Sequence, residues 1–201
     1  MTITAKSTLD LKYWKFEITY HKSLWWECVV LCHWKIDKIT PIVRIHSSCL
    51  FWESFHALDC DCNQQLQKTL ALIKKQKSWA IVYTYSEWRW VWMENKIKLY
   101  EIQNKKKKNT IEAFEELWFP PDIRKYDTEV EALKDIWICK NIFVVSDNPH
   151  KLNAIKTAWF NIIKKIDLNI SVNKFNRNEL KTKKNMLWYD LDHRFVKRWK
   201  K

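Results

Sequence analysis

The chain has 201 residues, 47% of them hydrophobic, enough to bury a core in one domain or two small ones. No apolar run of about 18 residues is present, which excludes a conventional membrane-spanning helix. Met1 to Lys15 are mixed and polar and lack the apolar stretch of a secretory signal, so a cytoplasmic location is expected. The formal charge of +13 points to an anionic partner such as nucleic acid, a membrane surface or a polyphosphate, or to a lysine-rich proteome. The six cysteines would be reduced in the cytoplasm and available to a metal or to catalysis.

In chain order, residues 13–34 read as a β-hairpin or meander, with alternation through Lys15–Tyr20. Ile42–Ile45 is a strand, Asp61–Lys77 a helix with Leu66, Leu70, Leu72 and Ile73 on one face, and Trp79–Thr84 a buried strand. Helices are expected over Met93–Asn104, 110–117 and 128–136, with Lys105–Lys108 as a solvated loop. A strand at Ile142–Val145, a helix from about residue 150 and a last strand at Ile162–Ile166 follow. Asn173–Lys201 is polar and basic and carries no clear fold signal. The order implies a single α+β domain over residues 13–190, with an amino-terminal extension (1–12) and a basic tail (191–201).

Glycine is absent, where average usage of roughly 7% would supply about 14. Tryptophan occurs 14 times. Three expected helices run directly into Trp118, Trp137 and Trp159, at positions where backbone usually turns left-handed and glycine avoids a Cβ clash. Trp25, Trp26 and Trp34 stand at expected turns, and Trp88, Trp90 and Trp92 alternate through Glu87–Met93. Many or all of these tryptophans are therefore read as occupying glycine positions, through a stop codon that the source organism reads as glycine or through a changed letter.

Cys49, Cys60 and Cys62 have the spacing C-x10-C-x-C. Thiolates are soft ligands suited to zinc. Three protein ligands would leave a tetrahedral position for water, whose pKa zinc lowers toward 7. His46 and His56 lie close enough in sequence to supply a fourth ligand and make the site structural, so the spacing leaves both readings open. Cys28, Cys32 and Cys139 lie in or beside apolar strands and read as buried thiols.

The neighbouring residues carry a resemblance. Arg44-Ile-His-Ser-Ser-Cys49, Leu58-Asp-Cys60-Asp-Cys62-Asn and Gln65 resemble the zinc segment of GTP cyclohydrolase II. Glu87-Trp-Arg89-Trp-Val-Trp-Met-Glu-Asn95-Lys96 resembles that family's E-G-R-G-x-G-L-x-N-K, with tryptophan at each glycine. Leu117 to Tyr126 and Ser146-Asp-Asn-Pro-His-Lys151 are similar to its D-x-R-x-Y and T-N-N-P-x-K segments. The blocks occur in family order and extend over nearly the whole chain.

The resemblance implies a zinc enzyme of the α+β GTP cyclohydrolase II fold. It would hydrolyse GTP to formate, pyrophosphate and 2,5-diamino-6-(5-phospho-ribosylamino)pyrimidin-4(3H)-one, the first step of riboflavin synthesis. Implied metal ligands are Cys49, Cys60 and Cys62. Asp122 corresponds to the family's proton acceptor, Arg124 to the residue assigned as nucleophile at the α-phosphate, and Tyr100 to a tyrosine beside the base. An arginine nucleophile is chemically awkward because guanidinium stays protonated, and Asp122 is expected to help it lose a proton. Implied GTP contacts are Arg44, Ile45, His46, Ser47, Ser48, Gln65, Glu87, Trp88, Arg89, Thr110, Ser146 and Lys151, with Glu87 able to accept from guanine N1 and N2. Magnesium on the triphosphate and a homodimer are also implied; no membrane or nucleic-acid partner is.

Ser146 replaces the family's threonine but keeps the hydroxyl, while Asn63, Asp127 and Glu129 stand where glycines are common. Literal indoles at Trp88, Trp90 and Trp92 would fill space where glycines let backbone N–H groups approach phosphate, and would predict poor folding and no GTP turnover. The competing readings are an inactive zinc- or nucleotide-binding homologue and a basic nucleic-acid-binding module with stacking aromatics. The intact mass of the natively expressed protein checks the glycine reading: a mass well below that of the spelled chain is expected, and one matching 14 tryptophans would sink it.

Overall fold

The computed structural model describes residues 2–11, 15–24, 26–33, 35–87 and 91–191. Strands β1 (Thr2–Asp10), β2 (Lys15–Lys22), β3 (Glu27–Cys32), β4 (Ile42–Ser47), β5 (Trp79–Thr84), β6 (Asn141–Val144) and β7 (Asn161–Lys165) form one seven-stranded sheet of order β1-β2-β3-β5-β4-β6-β7. β1, β2, β3 and β5 pair antiparallel in that sequence, whereas β4 pairs parallel with both β5 and β6, and β6 parallel with β7. The helices are α1 (Leu50–Glu53), α2 (Cys62–Ile73), α3 (Trp92–Lys106), α4 (Thr110–Glu116), α5 (Asp127–Asp135), α6 (Pro149–Thr157) and α7 (Arg177–Met186). This is a single mixed α/β domain.

The alternation and buried runs of the sequence account for the sheet. Of the parallel strands, the central β4 and β5 are buried on both faces along most of their length, whereas β7 at the sheet edge is largely exposed. One face packs Val43, Ile45, Val82 and Val144 against Val130 and Leu133 of α5 and Ile155 of α6. The other packs Phe16, Ile42, Trp79 and Ile81 against Leu70 and Ile73 of α2. A smaller cluster joins α3 to α4 through Leu99, Ala113 and Phe114. Asn109 closes a capping box with Glu112 at the start of α4, and Asn148 caps α6 with Pro149 in its first turn.

The expected strands and the helices from α2 to α6 are present. Three elements were not anticipated. β1 pairs with β2 along the sheet edge, every residue of it exposed, so residues 2–10 of the expected extension belong to the sheet. The four-residue α1 follows Cys49 directly. α7 lies in the segment that has no apolar periodicity beyond Leu180 and Leu187, and its buried positions include Thr182 and Lys183.

The helix-terminal tryptophans are where left-handed backbone was expected. Trp118, Trp137 and Trp159 have φ of 61°, 57° and 88°, and Trp92 and Trp188 share that region at 66° and 56°. Their indoles are largely exposed, Trp118 by 94% and Trp137 by 84%, so tertiary burial returns little for the backbone cost. Trp52 and Trp79 differ: both are buried, and Trp79 packs edge-on to Phe16 at 4.7 Å. The glycine reading is therefore carried by the left-handed positions. Replacing Trp118, Trp137 or Trp159 by glycine is expected to raise stability by about 1–2 kcal/mol each, whereas Trp79→Gly should lower it by about 3–5 kcal/mol. Denaturant unfolding of the single variants measures both.

Candidate active site

Parallel pairing brings the carboxyl ends of β4, β5 and β6 to the same edge of the sheet, with Ser47 opposite Thr84 and Val43 opposite Val144. Ligand sites in such sheets form outside those ends. Here the connections that follow carry Cys49, Glu87 and Ser146–Asn148. A cavity of about 700 Å³ opens at this place. It is lined by Arg44, Ile45, His46, Ser47, Ser48, Gln65, Thr110, Ser146 and Lys151, and also by Cys49, Cys60, Cys62, Tyr100 and Arg124. Residues separated by up to 107 positions thus converge on one space. Asp122 and Glu87 do not line it. Trp88 and Arg89 lie outside the described residues.

The sulfurs of Cys49, Cys60 and Cys62 lie within 4.8 Å of one another, and Cys49 Sγ is 3.9 Å from Cys60 Sγ. Thiolates sharing a tetrahedral zinc at roughly 2.3 Å would stand roughly 3.8 Å apart, so the cluster fits that ion. The surroundings favour the thiolate form at Cys49. Hydrogen bonds from Cys60 and Cys62, aided by Lys96, pull its pKa down to about 4 against the effect of burial. Lys96 Nζ sits 3.6 Å from Cys49 Sγ and 3.0 Å from a Glu87 carboxylate oxygen.

Neither histidine joins the sulfurs among the described residues. Arg44 donates to His46 Nδ1 at 3.2 Å. Nδ1 must therefore accept, which leaves Nε2–H to donate to Glu53 Oε1 at 2.8 Å. His56 Nδ1 is 3.1 Å from the Asn63 amide nitrogen. Of the two sequence readings, this arrangement favours three protein ligands with a position left over. Cys28 and Cys32 are fully buried away from the cavity, their thiols pushed up to about 12 by burial, as expected of structural cysteines.

The cavity also gathers cations. Arg44 is buried, donates to Val145 O at 3.4 Å and Gln65 Oε1 at 2.6 Å, and has its pKa lowered to about 10 by burial. Lys151 is buried, donates to Ile45 O at 2.8 Å and lies over the Tyr126 ring. Burial and the nearby Arg124 and Arg44 charges drive its pKa well down. Neither Arg44 nor Lys151 has a carboxylate at ion-pair distance among the described residues. Uncompensated buried charge is costly unless an anion arrives to neutralise it.

The model of the GTP cyclohydrolase II family matches residues 2–167. The chain belongs to the GTP cyclohydrolase II family. The GTP cyclohydrolase-2 of Shewanella sediminis (strain HAW-EB3) is 38% identical over 158 residues, which are 78% of this chain and 76% of that protein. That of Shewanella sp. (strain W3-18-1) is 35% identical over 172 residues, 85% of this chain and 84% of that protein. The riboflavin biosynthesis protein RibBA of Endomicrobium trichonymphae is 36% identical over 155 residues, 77% of this chain but 38% of that longer protein.

Against the residues that the family resemblance nominated, three placements differ. Asp122 grips Arg124 through Nε at 2.8 Å and Nη2 at 2.5 Å, with both side chains buried. Burial alone would lower the Arg124 pKa, but Tyr126, Tyr189 and Asp122 outweigh it and raise it well above the usual value. The expectation that Asp122 eases proton loss from Arg124 is thereby reversed: the carboxylate holds the proton on. Glu87 caps the α1 amino terminus through Leu50 N and pairs with Lys96, so its carboxylate is turned from the main cavity. Trp92 borders a separate pocket of about 230 Å³ and does not fill the main one.

Tyr100 lines the cavity against Phe51 at 5.9 Å, its phenol held neutral by burial and a hydrogen bond to Asp59. Thr110 donates to Glu179 at 2.5 Å and accepts from Gln103 at 3.1 Å. Ser146 accepts the Asn148 N–H at 3.2 Å, and the buried Ser47 hydroxyl has no hydrogen-bond partner among the described residues.

Sequence reasoning missed Glu53, which takes His46, Cys49 N and Tyr83. It also missed Asp61, whose carboxylate is buried between Lys183 at 2.6 Å and Gln65 at 2.5 Å. The position of Asp61 between two cysteines of the cluster was the available signal; for Lys183, Glu179 and Tyr189 no motif existed.

The cation cluster makes a stability prediction. Lys151→Met removes a buried charge and should raise the melting temperature of the ligand-free protein. Folding lowers the Lys151 pKa, so below the ordinary value of 10.5 the unfolded chain holds that proton more firmly. The cost is complete below the folded pKa and disappears as pH rises toward 10.5. The gap between Lys151→Met and the parent should narrow over that rise, as melting curves at several pH values would measure.

Proposed function

We propose that this chain is a zinc-dependent GTP cyclohydrolase II. It would convert GTP to 2,5-diamino-6-(5-phospho-ribosylamino)pyrimidin-4(3H)-one, formate and pyrophosphate, the first step of riboflavin synthesis. The observation that carries the reading is that the Cys49–Cys60–Cys62 cluster faces the same cavity as Arg44, Lys151 and Arg124. A soft metal site and an anion site share one space large enough for a nucleotide. The names of the relatives agree with it.

Cys49, Cys60 and Cys62 would hold zinc, which when bound supplies a Lewis acid and lowers the pKa of a coordinated water. Arg44 and Lys151, held in place by carbonyl contacts and with no carboxylate at ion-pair distance among the described residues, would take the phosphates, with magnesium accompanying them. Arg124 is fixed as a planar cation by Asp122, with its Nη1 hydrogens directed at neither Asp122 nor Tyr189 and able to meet a phosphate oxygen. For Asp122 to accept a proton from substrate, that pair would first have to open. Tyr100, kept as the phenol, can exchange hydrogen bonds with the base but carries no charge. Gln65, Thr110 and Ser146 offer neutral hydrogen-bonding groups along the same walls. Glu87 would read guanine only after leaving Leu50 N and Lys96. A homodimer in the cytoplasm completes the reading. Among the described residues no helix is long and apolar enough to cross a membrane.

Formate release from GTP tests the proposal, on the chain as spelled and on one with glycine at Trp88, Trp90, Trp92, Trp118, Trp137, Trp159 and Trp188. Formate is expected from the glycine-restored chain and should stop on zinc chelation. Cys49→Ser, Cys60→Ser and Cys62→Ser should each cut it by more than a hundredfold and lower bound zinc, on the scale of losing a ligand. GTP binding without formate release from either chain would instead identify a non-catalytic nucleotide-binding homologue.

A further inference from the structure

We infer that Tyr189, on the turn after α7, is a further substrate-contacting residue, donating its phenolic hydrogen to the phosphate chain beside Arg124. The inference rests on the GTP reading above. Tyr189 lies beyond residue 167, where the family match ends, yet it lines the main cavity together with Arg124, Asn148 and Lys151.

The hydrogen-bond inventory of its hydroxyl carries the argument. Arg124 Nη2 approaches the Tyr189 oxygen at 3.2 Å and Asn148 Nδ2 at 2.8 Å. Guanidinium can only donate. The Asn148 amide is oriented by its other end, because Oδ1 accepts the His150 and Lys151 backbone N–H groups at the start of α6. Its nitrogen must therefore point at Tyr189 and donate. Both acceptor positions of the phenol oxygen are then filled, and its own hydrogen goes to neither neighbour. Among the described residues that hydrogen has no acceptor, and it stands on a cavity wall where Arg124 and Lys151 already favour an anion. Two donated hydrogen bonds, one from a cation, also polarise the O–H and strengthen it as a donor.

The ring is placed by backbone contacts on both sides. Tyr189 N donates to Lys183 O at 3.1 Å, and the next residue, Asp190, donates to Asp147 O at 3.1 Å. Lys165 then bridges the Asp190 and Asp147 carboxylates at 2.6 and 3.2 Å. The carboxy-terminal segment is thus clipped to the connection that follows β6, the same one that presents Ser146 and Asn148.

Tyr189→Phe keeps the ring and removes only the hydroxyl. Calorimetric titration with GTP and with guanosine, alongside formate-release kinetics, reads its effect. GTP affinity should fall and KM rise by about tenfold, the size of one hydrogen bond to a charged group. Guanosine, which has no phosphate, should bind as it does to the parent. In an Arg124→Lys background Tyr189→Phe should still weaken GTP binding. Unchanged GTP affinity, an equal loss for guanosine, or disappearance of the effect in the Arg124→Lys background would each overturn the contact. A parent chain that binds no GTP would overturn the functional reading itself and this inference with it.

Discussion

Strand β4 runs parallel to both of its neighbours, and the chemistry of the site follows from that pairing. Parallel strands end at the same edge, so the chain leaving β4 at Ser47, β5 at Thr84 and β6 at Val144 emerges side by side. Cys49 stands two residues past one exit and Ser146 two residues past another. Arg44 is on β4 itself, buried in the sheet and reaching Gln65 on α2. An antiparallel β4 would present its opposite end, and the cysteines would lose their cationic neighbours.

The second constraint is electrostatic. Among the described residues the fold encloses Arg44 and Lys151 with no carboxylate at ion-pair distance and pins Arg124 to Asp122. Buried positive charge of this kind lowers stability until an anion binds. It is maintained because rigid groups hold it: Val145 O and Ile45 O receive the two side chains, and parallel strand pairing fixes those carbonyls. The sulfur cluster obeys the same logic with opposite sign, since Lys96 beside Cys49 favours a thiolate before any metal arrives. Anion site and cation site thus stand side by side, each short of the charge that its ligand would bring.

The tryptophans trace a different physical boundary. At Trp118, Trp137, Trp159 and Trp188 the backbone takes the left-handed turn that ends a helix, and the indole is pushed into solvent. At Trp79 the reverse holds: an extended backbone suits any side chain, and the indole is absorbed into the core against Phe16.

Much of this was legible in the residues themselves. Apolar alternation and runs located the strands from β2 to β7. The cysteine spacing located a cluster that could hold a soft metal, and helix ends predicted left-handed backbone at particular tryptophans. Each of these is a local property, carried by neighbours in the chain. What only the tertiary structure decided depends on residues far apart. Whether His46 could be a ligand turned on Glu53 and Arg44, which occupy both of its ring nitrogens. The state of Arg124 turned on Tyr126, Tyr189 and Asp122 closing round it. The direction of Glu87 turned on Leu50 N and Lys96, and the role of the carboxy-terminal segment on where α7 docks. Charge and hydrogen-bond partnerships act through space over a few ångströms, and sequence spacing does not encode which distant groups will share that space.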